Sequence, residues 1–310
     1  MVSKSSGAVS SEAEMQNFSL TSTYKLKTGY EIPVLGFGTA GDVSENYQMD
    51  PTEGQVAVLE ALKGGYRHID SAQMYGSEKC AGTAIRQSSI GREHLFFTSK
   101  VQSGGGYDAT KAAIDSGLKE SNLGYFDLYI IHAPYGGPET RKGAWRAMVE
   151  AKRDGKIRSL GVSNYGLHHL QELEDYISEL EKQLGQGNGG EISVGQWELH
   201  PWLDRKEIVN WCRTRNIIVE AYCPLIRGRR FDEPALKPLV EKFGKTAAQI
   251  LLRWSLQKGF VPLPKSVTPS RIASNADIFD FFLTEEEMAS LETGDYAPCT
   301  WDPTVSTLSE

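Results

Sequence analysis

A chain of 310 residues, 40% hydrophobic and 24% charged, is long enough for one α/β barrel of roughly 250 residues with extensions and has the makeup of a globular protein with a sizeable core. Its net charge of −7 and isoelectric point near 5.5 argue against a broad nucleic-acid or anionic-membrane surface, either of which needs clustered Lys and Arg. The four cysteines, Cys80, Cys212, Cys223 and Cys299, stand singly, with no C-x-x-C and no His at zinc-ligand spacing, so they read as free thiols in a reducing compartment and no metal is expected.

No apolar run reaches the roughly 18 residues of a membrane helix. The first 23 residues hold seven serines and no secretory apolar core, and the terminal "STLSE" matches no retention or peroxisomal address. The expectations are a disordered tail over residues 1–23, one domain over 24–310, and a cytoplasmic monomer or weak dimer whose partner is a small molecule.

In chain order, "YKLKTGYEIP" alternates about a Thr-Gly turn and predicts a β-hairpin. The buried strand "VLGFGT" follows, then a helix from about Thr52 to Lys63 and strand "YRHID". Strand "HLFFTSK" precedes a helix from Ala109 to Glu120, and strand "FDLYIIH" precedes one from about Glu139 to Arg153. Strand "KIRSLGVS" leads to a long helix, Leu167 to Leu184, and the break "GQGNGG", read as a spacer. Strand "ISVGQWEL", a helix starting near Asp204, strand "IIVEAY", helix "TAAQILLRWSLQ" and strand "GFVPLP" complete the pattern.

Short apolar strands alternating with helices imply βαβ crossovers and a parallel sheet. Eight such runs predict a closed (β/α)8 TIM barrel with an N-terminal β-hairpin and a C-terminal substrate loop. A doubly wound alternative needs G-x-G-x-x-G between its first strand and helix, and "GFGTAG" lacks the third Gly at that spacing. "SGGGY" lacks a following G-K-[ST] and reads as a flexible loop on the substrate side.

In such a barrel the chemistry sits where strands end. The predicted strand ends are Thr39, Asp70, Lys100, His132, Ser163, Gln196 and Tyr222, all polar. Asp70, Lys100, His132 and nearby Tyr75 can carry protons. Asp70 and Lys100, on neighbouring strands, form either a rim salt bridge or a tuned pair. An ammonium beside Tyr75 would favour phenolate and lower a phenol whose ordinary pKa is about 10. Glu78 is expected to charge the next helix start rather than to react.

The ordered segments "GFGT", "RHIDSAQMYGSE", "FFTSK", "YIIHAP", "GKIRSLGVSN", "QWELHP" and "PLPKSVTPSRIASN" resemble those of the aldo-keto reductase superfamily from about Tyr24 to Asp295. The resemblance implies NADPH-dependent carbonyl reduction, with Tyr75 as general acid, Lys100 and Asp70 tuning it, and His132 orienting the carbonyl oxygen. It implies a nicotinamide site from Thr39, Asp70, Ser163, Asn164 and Gln196, with Tyr222 stacking on the ring and Cys223, Leu225 and Arg227 continuing the groove. Lys265, Ser266, Val267, Thr268, Arg271 and Asn275 would hold the adenosine end. Two cations beside hydroxyls suit a phosphate monoester and favour NADPH over NADH. One departure is Ser274, where many members carry Glu.

Small-aldehyde relatives commonly carry Trp after "GFGT" and "IIH"; here Ala40 and Ala133 stand there. A wider pocket and a bulky or aromatic carbonyl are expected, with Tyr107, Tyr135, Cys299 and Trp301 also facing substrate. Two rivals are a Schiff-base aldolase using Lys100, which pairing with Asp70 would keep protonated and non-nucleophilic, and a cofactor-binding sensor with little turnover.

Overall fold

The computed structural model describes residues 15, 17–42, 46–102 and 104–310. Eight of the short apolar runs become parallel strands because they are covered on both faces, the setting in which continuous hydrophobic runs rather than alternation are stable. β3 (Phe37–Gly38), β4 (His68–Asp70), β5 (Phe96–Val101), β6 (Phe126–Ile131), β7 (Ile157–Ser163), β8 (Ile192–Glu198), β9 (Ile218–Tyr222) and β10 (Val261–Leu263) pair in sequence order. The sheet closes on itself where Gly36 N–H donates to Pro262 O at 3.1 Å and Gly38 N–H to Pro264 O at 3.0 Å. Closure demands glycine at position 36, since a Cβ there would lie 2.4 Å from Leu263 and 2.7 Å from the His68 ring.

Helices cross between the strands, α1 (Pro51–Lys63), α2 (Glu78–Gln87), α3 (Gly106–Ser121), α4 (Gly137–Arg153), α5 (Leu167–Leu184), α6 (Lys206–Arg213), α7 (Lys237–Phe243) and α8 (Ala247–Gln257), and α9 (Pro269–Ala276) and α10 (Glu285–Ser290) follow the last strand. Their starts follow local chemistry. Asp50 caps α1 by accepting from the Thr52 and Glu53 amides, with Pro51 in the first turn, and Thr246 and Gln249 form a capping box on α8. α3 begins at Gly106, three residues before its expected start, and so takes Tyr107 into a helix. α7 and α10 were not expected; both are short and lack a long periodic stripe.

The hairpin, β1 (Thr23–Lys25) with β2 (Glu31–Pro33), pairs antiparallel as expected. Its turn meets the barrel where Thr28 Oγ1 lies 2.8 Å from Ser159 Oγ. Of the expected tail, residues 1–14 and 16 lie outside the described residues. The rest packs on the barrel: Phe18 meets Tyr24 edge-on at 5.6 Å, and Arg253 donates to Met15 O at 3.1 Å. At the opposite end the C-terminal segment is strapped over the mouth. Arg205 holds Asp302 at 3.0 Å and Thr304 at 2.8 Å, and Arg141 donates to Leu308 O at 2.8 Å.

Candidate active site

Parallel strands aim every chain direction at one rim, so β4, β5 and β6 deliver Asp70, Lys100 and His132 side by side. Tyr75 is returned to the same rim by a 3-10 turn, Gln73–Tyr75, that Gly76 ends in the left-handed region at φ 61°. Lys100 Nζ donates to Asp70 Oδ1 at 2.6 Å and to Ser71 O at 2.9 Å. It also lies 4.9 Å from the centroid of the Tyr75 ring, whose hydroxyl is 3.3 Å from His132 Nε2. Lys100 is fully buried and Asp70 is 4% exposed, so this is an interior pair rather than a rim salt bridge.

Burial, followed by the Asp70 charge, pushes the Tyr75 phenol well above its ordinary value, opposite to the expected depression. The reason is geometric: the ammonium faces the ring and its charge is matched by Asp70. The phenol is therefore protonated at neutral pH. Burial and then the Lys100 charge push His132 down to about 3, leaving a neutral imidazole. The pair can offer one acceptor two hydrogen-bond donors without adding charge.

Beneath these residues lies a buried polar layer of which only Gln196 was expected. Gln196 Nε2 donates to Asp70 Oδ2 at 3.0 Å and to Glu220 Oε2 at 2.8 Å. Glu220 Oε1 stands 3.5 Å from His68 Nε2, which also meets Thr98 Oγ1 at 3.0 Å. Burial and then the Asp70 charge raise Glu220 to about 8, and burial and then Lys100 lower His68 to about 3. A period-two reading of β4 and β9 could have found both, because His68 precedes Asp70, and Glu220 precedes Tyr222, by two residues.

A cavity of about 860 Å³ runs from the mouth along one side of the barrel. Asp70, Tyr75, His132, Asn164, Tyr222, Cys223, Leu225, Arg227, Lys265, Ser266, Val267, Thr268, Arg271 and Asn275, all expected in the site, line it, as does Ser274. Tyr222 donates to Asn164 Oδ1 at 2.8 Å, and Asn164, at φ 62°, donates to His132 O at 2.9 Å and to Ser163 Oγ at 3.0 Å. Ser163 Oγ donates to Gln196 O at 2.8 Å, so Ser163 and Gln196 sit one layer below the wall they were expected to form. Thr39 is likewise turned inward, its hydroxyl donating to Asp70 O at 2.9 Å. Lys265 and Arg271 are exposed and make no ion pair among the described residues.

Ala40 and Trp301 line the same cavity. Trp301 meets His132 at 5.9 Å and Tyr135 at 5.8 Å, ring to ring, so an indole from the C-terminal segment partly refills space left by Ala40 and by the buried Ala133. Cys299 lies two residues upstream, its amide donating to Glu198 Oε1 at 2.5 Å. Tyr107 is a correction: carried into α3, its hydroxyl donates to Glu150 of α4 at 2.5 Å, and it does not line the cavity; Ala133, Tyr135 and Cys299 are not among the lining residues either. Glu78 does begin α2, but its carboxyl accepts from Ser99 at 2.6 Å and is buried rather than set free at the helix end. Ser103 of the triple-Gly loop lies outside the described residues.

With that geometry in place, comparison with known proteins is direct. The Aldo/keto reductase family model matches residues 34–294. The chain belongs to this family and is an oxidoreductase of it. It is 41% identical to the glyoxal reductase of Bacillus subtilis (strain 168) over 275 residues, 88% of this chain and 93% of that one. It is 38% identical to a methylglyoxal reductase of Escherichia coli (strain K12) over 269 residues, 86% and 91% of the two chains. A solved aldo/keto reductase from Brucella melitensis superposes with a TM-score of 0.77 at 37% identity, covering 88% of this chain and 99% of that one. No helix among the described residues is long and apolar enough to cross a membrane.

Proposed function

We propose that this chain catalyses reversible, NADPH-dependent reduction of an aldehyde or ketone to the alcohol. The reading is carried by one observation, the Tyr75 hydroxyl 3.3 Å from a neutral His132 Nε2 with the buried Lys100–Asp70 pair against the same ring. A carbonyl oxygen placed between the two groups would accept from both. His132 orients it, and Tyr75, held protonated by burial, gives its proton as negative charge develops on oxygen. Lys100 then stabilises the phenolate that remains, and Asp70, 2.6 Å away, holds it against the ring.

The cavity fits a nicotinamide dinucleotide phosphate. Tyr222, oriented by its bond to Asn164, offers a flat aromatic wall near the tetrad, and Lys265, Ser266 and Arg271 offer two cations and a hydroxyl at the far end, as a 2′-phosphate requires. When bound, the cofactor supplies the hydride from nicotinamide C4. Thr268, the residue before α9, and Asn275 within it would complete the adenosine end.

For substrate, Ala40 and Ala133 support a bulky or aromatic carbonyl, with the Trp301 indole as a face to lie against. A small 1,2-dicarbonyl is the second reading, favoured by Trp301 and Tyr135 crowding His132 and by the named activities of two relatives. Steady-state rates with NADPH across glyoxal, methylglyoxal, phenylglyoxal and aryl ketones decide between them. A kcat/KM that rises with substrate size supports the wide pocket; one that is highest for methylglyoxal replaces it. Demonstrable NADPH binding with no turnover on any carbonyl would leave the sensor reading in place of both.

A further inference from the structure

Beside the cavity, and outside the tetrad, three side chains of metal-binding type converge, with a fourth close by. Glu198 closes β8, His200 follows it, and Cys299 arrives from the C-terminal segment; one donor atom from each lies within 4.8 Å of the others. Cys223, the first residue after β9, lies on the cavity side next to Cys299 and outside that 4.8 Å group. Glu198 and His200 are fully or almost fully buried, whereas the two cysteines are half-buried and Cys223 lines the cavity.

We propose that Glu198, His200, Cys223 and Cys299 form a site for a thiophilic divalent cation, zinc or an ion of similar chemistry, at the rim of the barrel. One carboxylate, one imidazole and two thiolates are borderline-to-soft donors, the set that zinc takes in four-coordinate geometry. With metal–ligand distances of about 2.0–2.3 Å, donor atoms of a filled tetrahedral site stand roughly 3–4 Å apart, close to the 4.8 Å limit within which Glu198, His200 and Cys299 already lie, and Cys223 would swing in from the cavity side to complete the set.

The Glu198 carboxylate already gathers donors from both sides of the cluster: its Oε1 meets His200 Nε2 at 3.0 Å and the Cys299 amide at 2.5 Å. On binding, Glu198 Oε1 turns from His200 Nε2, now 3.0 Å away, to the ion, while Oε2 keeps the Thr300 amide at 3.1 Å. Each thiol gives its proton to solvent as its sulfur binds the ion. No electron is transferred. The filled site would tie the segment carrying Trp301 to the ends of β8 and β9, beside the cavity wall, and so restrict exchange at the mouth.

This inference does not rest on the proposed reaction, and its test reads binding rather than turnover. Full-length, reduced, metal-stripped protein is titrated with Co²⁺ and then with Zn²⁺. The expected result is one equivalent of Co²⁺ bound with visible ligand-field bands of tetrahedral intensity and thiolate-to-cobalt charge transfer, displaced by Zn²⁺. Cys299→Ser and, separately, Cys223→Ser should each weaken Co²⁺ binding by at least about tenfold and reduce the charge transfer. Cys80→Ala, a change at the thiol by Ser77 on α2, should not alter either. Circular dichroism confirms that each variant is folded, and the two serine variants serve independently should one fail. Absence of thiolate charge transfer, or its full retention in a folded Cys299→Ser or Cys223→Ser protein, overturns the site.

Discussion

Two regions of the same groove are built on opposite principles. The tetrad end is buried, its charges already paired and its donors fixed before any ligand arrives: Lys100 on Asp70, Asp70 on Gln196, and Gln196 on Glu220. The far end, Lys265 to Asn275, is largely exposed, its two cations without ion pairs among the described residues. Under the proposed function, the contrast suits each end to a different kind of work. Proton transfer gains from preset dipoles in a water-poor site, whereas a phosphate grip needs free charge that solvent can release. Substitutions at the first end should therefore change chemistry or stability, and those at the second should change affinity alone.

The largest expected effect is at Tyr75. Tyr75→Phe should lower kcat by about 10²–10⁴-fold, the usual contribution of a positioned general acid, while NADPH affinity measured by fluorescence quenching stays within about twofold. An unchanged kcat would remove Tyr75 from the reaction. Next, Lys100→Met leaves Asp70 buried without its partner and should cost about 3–5 kcal/mol in urea unfolding, with partial recovery in the Lys100→Met, Asp70→Asn double variant. Should the single variant unfold like the parent, the pair is not the buried charge couple described above.

A smaller effect concerns pH. The folded chain holds a proton on Glu220 up to about pH 8, whereas the unfolded chain releases it near pH 4.3. Folded protein thus binds more protons between those values, and this group's contribution to stability is lost as pH rises from about 4 to about 8. Glu220→Gln should flatten that decline and be more stable than the parent at pH 8, by on the order of a few kcal/mol. An identical slope in the two proteins would show that Glu220 does not titrate there. The smallest effect belongs to the exposed end: Arg271→Ala should raise the NADPH Kd by about tenfold or more and leave the NADH Kd and kcat nearly unchanged, since one charge-assisted bond is worth about 1.5–3 kcal/mol. Equal loss for both cofactors would place Arg271 away from the 2′-phosphate.

Much of the fold was readable from pattern. Runs such as "FDLYIIH" are apolar on both faces, which only a covered parallel strand explains, and eight of them separated by helices leave little but a barrel. The rim residues followed from counting strand ends. What escaped was anything decided by a small shift along the chain. α3 starting three residues early moved Tyr107 from the mouth to a helix–helix contact with Glu150. Residues one layer deeper escaped too: Glu220 sits opposite Gln196 in the β8–β9 pairing, but only closure of the barrel brings His68 of β4 to Glu220.

The succession of strands and helices and the polar ring at the strand ends were set by local pattern, because periodicity and turn residues act over a few positions. The sign of the Tyr75 shift was not, because it depends on how much water reaches the ring and where the Lys100 ammonium points. Neither was the meeting of Glu198, His200 and Cys299. No metal spacing joins Cys299 to the other two in the sequence, and their convergence exists only because β8 and the C-terminal segment end at the same rim.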